Sequence, residues 1–305
     1  MRKQYSGIDI AKMICAIMVI AIHTQPFIRY VWLDRGAGVI TRLAVPFFFV
    51  TTGFFLDFSE TKKVKMCILR LLVLYAIWTI IYLPFSSLSI RKLLLTGVIG
   101  HLWYIPAAIV AVLLTYLVGQ PKRSIVISGV LLLIGTLAST YQPLCSGIAL
   151  GGTVVSDLFS TIGTRNGLFY GFFYVSLGTY IASERQNDRN WIGLLIVGIA
   201  LLALESSIGV LALHTTSTIL WLTTPIPVFA LFMLAKRSNV NYNTIRIRKL
   251  SSMMYFSHCL WIIALKALGI EEGFILFVGV TVATIIFSYG VVRLSEKNKL
   301  FAWLF

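Results

Sequence analysis

Ten stretches of this chain are apolar for close to the length a helix needs to cross a bilayer, about 20 residues. They run over approximately 8–28, 37–57, 66–86, 100–118, 124–141, 165–183, 190–208, 217–235, 250–268 and 272–293. Only 12% of the residues are charged, 58% are hydrophobic and the mean hydropathy is +0.89, against roughly 25% charged in an average soluble domain. The expected fold class is therefore an all-α integral membrane protein with about ten transmembrane helices. The connections leave no room for a soluble domain and show no internal repeat, so residues 1–305 are expected to form a single membrane domain.

A net charge of +15 would suggest nucleic acid in a soluble chain. Here the basic residues sit in short loops between apolar runs, where topology accounts for them and no nucleic-acid partner is expected. Taking the amino terminus, the second, fourth, sixth and eighth loops and the carboxyl tail as one side collects 18 Lys and Arg. The opposite loops hold 4, namely Arg29, Arg35, Arg91 and Lys92. This asymmetry predicts that both termini lie in the cytoplasm. Met1-Arg2-Lys3 followed by apolar residues imitates a secretory signal, but Asp9 and Lys12 interrupt the approach and a large residue precedes His23. The segment is read as the first membrane helix. The cysteines Cys15, Cys67, Cys145 and Cys259 are far apart and form no metal-ligand or disulfide pattern, so no metal is expected. The outer loop 142–164, rich in Gly, Ser and Thr and holding Asp157, is a tether or a lid. The basic inner stretch 236–249 suits topology, anionic lipid or a polyphosphate.

Four basic residues stand outside the loop tally: Lys12, Arg42, Arg165 and Lys266. Charge inside a membrane is costly, so each marks a functional hypothesis unless it snorkels from a helix end. On the first segment the geometry follows from helix arithmetic. At 100° per residue, Lys12 and His23 return to within about 20° of one face, with Asp9 about 40° from His23, and about 16 Å of rise separates Lys12 from His23. Asp9 and Lys12 are thus at the cytoplasmic mouth, either as a local ion pair or at the start of a route across the bilayer, and His23 lies past the midplane. Arg42, His101 and Arg165 each open a segment that enters from the outside, so with His23 they are expected to converge on one outward-facing pocket, with Glu205 as a further neighbour. His258 lies in the inner half of the ninth segment, for a helix–helix hydrogen bond or a functional role. His214 is read as a loop residue.

Histidine is the side chain most readily used as a general base near neutral pH, which suits activation of a hydroxyl for acyl transfer. No HxxxxD box surrounds any histidine and no GxSxG elbow is present, so a covalent serine mechanism is unsupported. Lys12, ten residues and His23 resemble the Arg/Lys-x10-His motif of the membrane-bound acyltransferase family 3. "RLAVPFFFVTTGFFL", "RLLVLYAIWTIIY", "HLWYIPA", "RNGLFYGFFYVSLGTYIA" and "SSMMYFSHCLW" follow in that family's order. The resemblance spans roughly residues 5–268. The "AIHTQPF" and "RLAVPFFF" strings are also similar to the membrane domain of vancomycin-resistance serine racemases.

The resemblance implies an acyl-CoA donor bound from the cytoplasm, with no bound cofactor, and transfer of an acetyl or other short acyl group to a hydroxyl of an extracytoplasmic glycan or related acceptor. On this sequence it implies His23 as the base and Lys12 as a donor-side or structural partner. It implies Arg42 and His101 as binding groups for donor or acceptor, or as stabilisers of the developing oxyanion. The chain departs from the family's pattern in having Lys12 where Arg is frequent and Thr52-Gly53 for Ser-Gly; no hydrolase-like domain is expected after the tenth segment, so its resemblance to the two-domain peptidoglycan O-acetyltransferases is partial. A rival reading is a permease for a small polar solute such as L-serine, with His23 lining its path, which predicts discontinuous helices and paired repeats. A membrane anchor without chemistry leaves the polar stripe unexplained. The bilayer is the remaining partner, and a homo-oligomer is compatible with the sequence.

Overall fold

The computed structural model describes residues 5–86, 89, 97, 99–141, 163–184, 189–212, 220–238 and 243–305. Most of the 142–164 loop with Asp157 and Cys145, and also Arg91, Lys92 and His214, lie outside these residues. The described chain is helical, with no strand. Its helices are α1 (Ser6–Thr24), α2 (Val31–Thr41), α3 (Ala44–Phe55), α4 (Thr61–Tyr82), α5 (Tyr104–Val118), α6 (Pro121–Leu137), α7 (Phe172–Ser183), α8 (Trp191–Ala212), α9 (Pro225–Arg237), α10 (Ile245–Ala267) and α11 (Phe274–Lys297). Every one of the ten apolar segments is occupied by helix. Five stretches are long and apolar enough to cross a membrane by themselves: Ser6–Thr24, Val31–Phe55, Thr61–Phe85, Trp191–Gly209 and Phe274–Lys297. Large apolar side chains such as Ile80, Leu117, Ile196 and Ile286 lie exposed on the outer helix faces, as a lipid-facing surface requires.

The second apolar segment is two helices rather than one. Pro46 lies in the first turn of α3, where its missing N–H costs nothing, but its ring crowds the carbonyl four residues earlier, that of Arg42. The break falls there, at Arg42–Leu43. A second irregularity opens the sixth segment. Residues Gly167–Gly171 form a π turn ahead of α7, with the Asn166 side-chain oxygen accepting from the N–H groups of Leu168 at 2.9 Å and Phe169 at 3.0 Å. Such π turns recur beside functional sites.

The first helix is the hub of the bundle, packed on α2, α3, α9, α10 and α11. Its start is tied to the chain around the basic inner stretch. Gly7 N–H donates to the Ser238 carbonyl at 3.1 Å, and Thr244 Oγ1 donates to Asp9 Oδ2 at 2.6 Å. Asp9 is buried, and no Asp9–Lys12 ion pair forms among the described residues, so its partner is across the bundle rather than one turn away. A hydrogen bond to a buried carboxylate contributes about 1.5–3 kcal/mol. Thr244→Val should therefore lower the melting temperature of the purified protein by several degrees while Thr244→Ser leaves it near wild type, and equal melting of the two would remove this clamp from the account.

The tightest crossing is between α3 and α7. A Cβ added at Gly53 would lie 1.9 Å from the Val175 carbonyl oxygen, and one added at Gly178 would lie 2.2 Å from the Val50 carbonyl oxygen. The two backbones touch through a pair of glycines, as close helix crossings in membranes commonly do.

Candidate active site

Helix α1 ends one residue after His23. Gln25 takes a left-handed conformation (φ 45°) and its N–H returns to the Ala21 carbonyl at 3.0 Å. This puts His23 on the last turn, beside a cavity of about 580 Å3. His23, Arg42, His101 and Arg165 all line that cavity, together with Tyr170 and Tyr255. The four polar residues expected to converge from separate segments do so here. The helix break at Pro46 delivers Arg42, the turn before α5 delivers His101, and the segment entering the π turn delivers Arg165 and Tyr170.

The two arginines rest on aromatic rings. The Arg42 guanidinium carbon is 5.6 Å from the Trp221 ring centroid, and that of Arg165 is 4.6 Å from the Trp103 centroid. Tyr170 lies within electrostatic range of both guanidiniums, and Arg165 within range of His23. Among the described residues neither arginine forms an ion pair, and the buried Nε of Arg42 has no hydrogen-bond partner.

Behind His23 stand two more imidazoles. The His23 ring centroid is 5.2 Å from that of His258 and 6.5 Å from that of His101, and those two are 4.9 Å apart. His101 is buried, neither of its ring nitrogens has a hydrogen-bond partner, and the Tyr255 hydroxyl donates to its backbone carbonyl at 2.8 Å. His258 does not bond across to a neighbouring helix. Its Nδ1 lies 2.7 Å from the Tyr255 carbonyl, and because a carbonyl only accepts, Nδ1 carries the proton. In the neutral ring Nε2 is then the acceptor, and it faces Cys259 Sγ at 3.3 Å. The donor atoms of His101, His258 and Cys259 all lie within 4.8 Å of one another, and among the described residues these buried groups are the ones that could hold an ion. His258 and Cys259 are adjacent, but His101 comes from a distant part of the chain, so spacing in the sequence could not have revealed the group.

The remaining candidates lie elsewhere. Glu205 does not line the cavity. Its carboxylate accepts from Tyr141 Oη at 2.5 Å, from the N–H groups of Leu222 at 2.7 Å and Thr223 at 2.9 Å, and from the Thr223 hydroxyl. It anchors the chain that enters α9. Lys266 pairs with Glu272 at 2.6 Å on the surface. Lys12 is at the opposite end of α1 from the cavity, within electrostatic range of Asp9, Arg70 and Arg248. Tyr170 and Tyr255 were missed from the sequence, although both stand inside strings that carried the resemblance, "RNGLFYG" and "YFSHCLW".

This arrangement has the parts for base-assisted acyl transfer. The half-buried imidazole of His23 reaches the cavity with no hydrogen bond to hold its nitrogens among the described residues, guanidinium donors flank it, and tyrosines enclose it. The sequence from residue 5 to residue 293 matches the profile of a family described as an acyltransferase domain. An amino-acid racemase of Enterococcus faecalis is 30% identical over 215 residues, which are 62% of this chain and 30% of that protein. A serine/alanine racemase of Enterococcus gallinarum is 29% identical over 287 residues, 83% of this chain and 40% of that protein. The chain thus spans less than half the length of these curated relatives. No solved structure matches it.

Proposed function

The chain belongs to this acyltransferase-domain family, and on that premise we propose that it is a multi-pass O-acyltransferase of the bacterial plasma membrane. It moves an acetyl or other short acyl group from cytoplasmic acyl-CoA to a hydroxyl of an extracytoplasmic glycan or related acceptor. In this reading the ten helical segments cross the bilayer and both termini are cytoplasmic, as the 18 to 4 distribution of basic loop residues favours.

The observation that carries the reading is the division of labour along α1. His23 borders the cavity at one end, and Lys12 stands with Arg70 and Arg248 at the other, about 16 Å of helix rise away. The cationic end suits the phosphates of the donor. At the other end His23 takes the proton from the acceptor hydroxyl as its oxygen attacks the thioester carbonyl. The guanidinium of Arg42 or Arg165 then offers N–H donors to the oxygen that gains charge, and as the carbonyl re-forms the C–S bond breaks and coenzyme A leaves as its thiol, taking the proton back from His23.

Inside-out vesicles offered labelled acetyl-CoA and labelled serine test this directly. Turnover of the acetyl label is the expected result; serine accumulation without acyl turnover would overturn it. The serine arm belongs in the experiment because a broken helix such as that at Arg42 is also a device of transporters. For the donor end, Lys12→Arg should retain turnover and Lys12→Ala should lose about tenfold or more, as expected for a charge-assisted contact. Wild-type rates in both variants would return Lys12 to a structural role.

A further inference from the structure

The cavity carries an unbalanced charge. Three guanidiniums line it, those of Arg35, Arg42 and Arg165, against one carboxylate among the described residues, that of Asp34. Asp34 forms no ion pair with any of them. Arg35 sits on its own helix neighbour Trp32 at 5.5 Å, toward the rim. Arg42 is half-buried and Arg165 is exposed on the same cavity wall, each over a tryptophan ring and both within range of the Tyr170 hydroxyl.

A ring occupies only the flat face of a guanidinium. The five N–H donors lie in the plane and stay free for a forked contact with an oxyanion. Had the half-buried Arg42 served only to hold the fold, a carboxylate from a neighbouring helix would be the expected partner, since an uncompensated charge drawn away from water is costly. None is present in the described structure, and the buried Nε of Arg42 is left without an acceptor.

We infer that the cavity binds a ligand bearing an oxyanion, a carboxylate or a phosphate, held by Arg42 and Arg165 so that a neighbouring hydroxyl of the same molecule faces His23. The inference rests on reading the cavity as the acceptor site, and it narrows the acceptor from any hydroxyl compound to an acidic one. An uncharged sugar would leave both forks unanswered and bind poorly. The aromatic supports fix the guanidinium planes in advance, so little side-chain ordering is left for binding.

Binding to the purified full-length protein in nanodiscs, followed by thermal shift and calorimetry, tests this without acyl-CoA. The probes are D-glucuronate, D-glucose 6-phosphate and D-glucose. The expected result is that at least one charged sugar binds about tenfold or more tighter than glucose, and that Arg42→Gln and Arg165→Gln each remove that margin. The preferred anion then says whether the acceptor carries a carboxylate or a phosphate. Equal binding of all three sugars overturns the inference. So does a charged-sugar preference that survives both substitutions, which places the anion elsewhere, for example at Lys12, Arg70 and Arg248. If a variant does not fold, comparing wild-type binding of glucuronate with that of its uncharged methyl ester decides the matter alone. Acyl turnover measured on the same preparation keeps the two readings separate: turnover without an anion preference sinks only this inference, and an anion preference without turnover sinks only the transferase.

Discussion

Replacing His23 by alanine will lower acyl turnover by at least about a hundredfold, the range expected when a positioned general base is removed. The ring is half-buried at the cavity wall, so its loss opens a little space without orphaning a hydrogen bond. The variant should therefore still accumulate in the membrane and melt near the wild-type temperature. That pairing of lost turnover with retained fold separates a base from a structural histidine. His23→Gln, which keeps polarity and volume but is not basic, should be as inactive as the alanine variant. Turnover within tenfold of wild type in either would remove His23 from the chemistry. His258→Gln leaves the base in place and alters the ring packed 5.2 Å away, so a smaller loss with a changed pH profile is the expected result there.

The second large effect is on the fold. Gly53→Ala or Gly178→Ala places a methyl group against a carbonyl oxygen of the opposing helix, at 1.9 Å and 2.2 Å before any movement. The obstructing atoms are backbone, so no side chain can swing away and the helices must separate. Overpacking of this kind costs about 3 kcal/mol or more when backbone has to shift, and separation also loosens Thr52, whose hydroxyl lies 3.4 Å from Tyr104 Oη. Either variant should melt well below wild type or fail to accumulate. The control is Gly290→Ala on α11, where an added Cβ meets nothing within 4 Å and helix propensity alone would favour alanine by about 0.5–1 kcal/mol. If Gly53→Ala and Gly290→Ala melt alike, the close crossing is not a determinant of stability.

Much of the helix placement was legible because apolar length is a one-dimensional property. Breaks inside segments were less so. The interruption at Arg42 depends on where the Pro46 ring falls relative to a carbonyl four residues back, and the π turn before α7 depends on the Asn166 side chain; neither registers in a hydropathy trace. For the site, the rise and rotation of one helix placed His23 relative to Lys12, and segment openings pointed to Arg42, His101 and Arg165. The sequence could not show what each carboxylate or ring would meet. Glu205 looked like a cavity group because its charge is costly in an apolar segment, yet its partners are backbone N–H groups of irregular chain before α9, which no residue pattern marks. Asp9 was open between a local pair with Lys12 and the start of a route across the bilayer; its hydrogen bond is with Thr244, from a distant part of the chain. His258 was open between a helix–helix hydrogen bond and a functional role; its ring bonds within its own helix and packs beside His23. Tyr170 and Tyr255 carry no charge, so nothing set them apart from other aromatics until the cavity wall was seen.

The three imidazoles come from the first helix, the turn before the fifth and the tenth. A ribosome that has delivered His23 and even His101 has not yet made the third ring, which stands on α10, a helix packed along α1. A growing chain therefore holds His23 without the third ring until residue 258 has been added. In the proposed reaction, a chain that stops short of α10 has the base but not the ring packed 5.2 Å behind it.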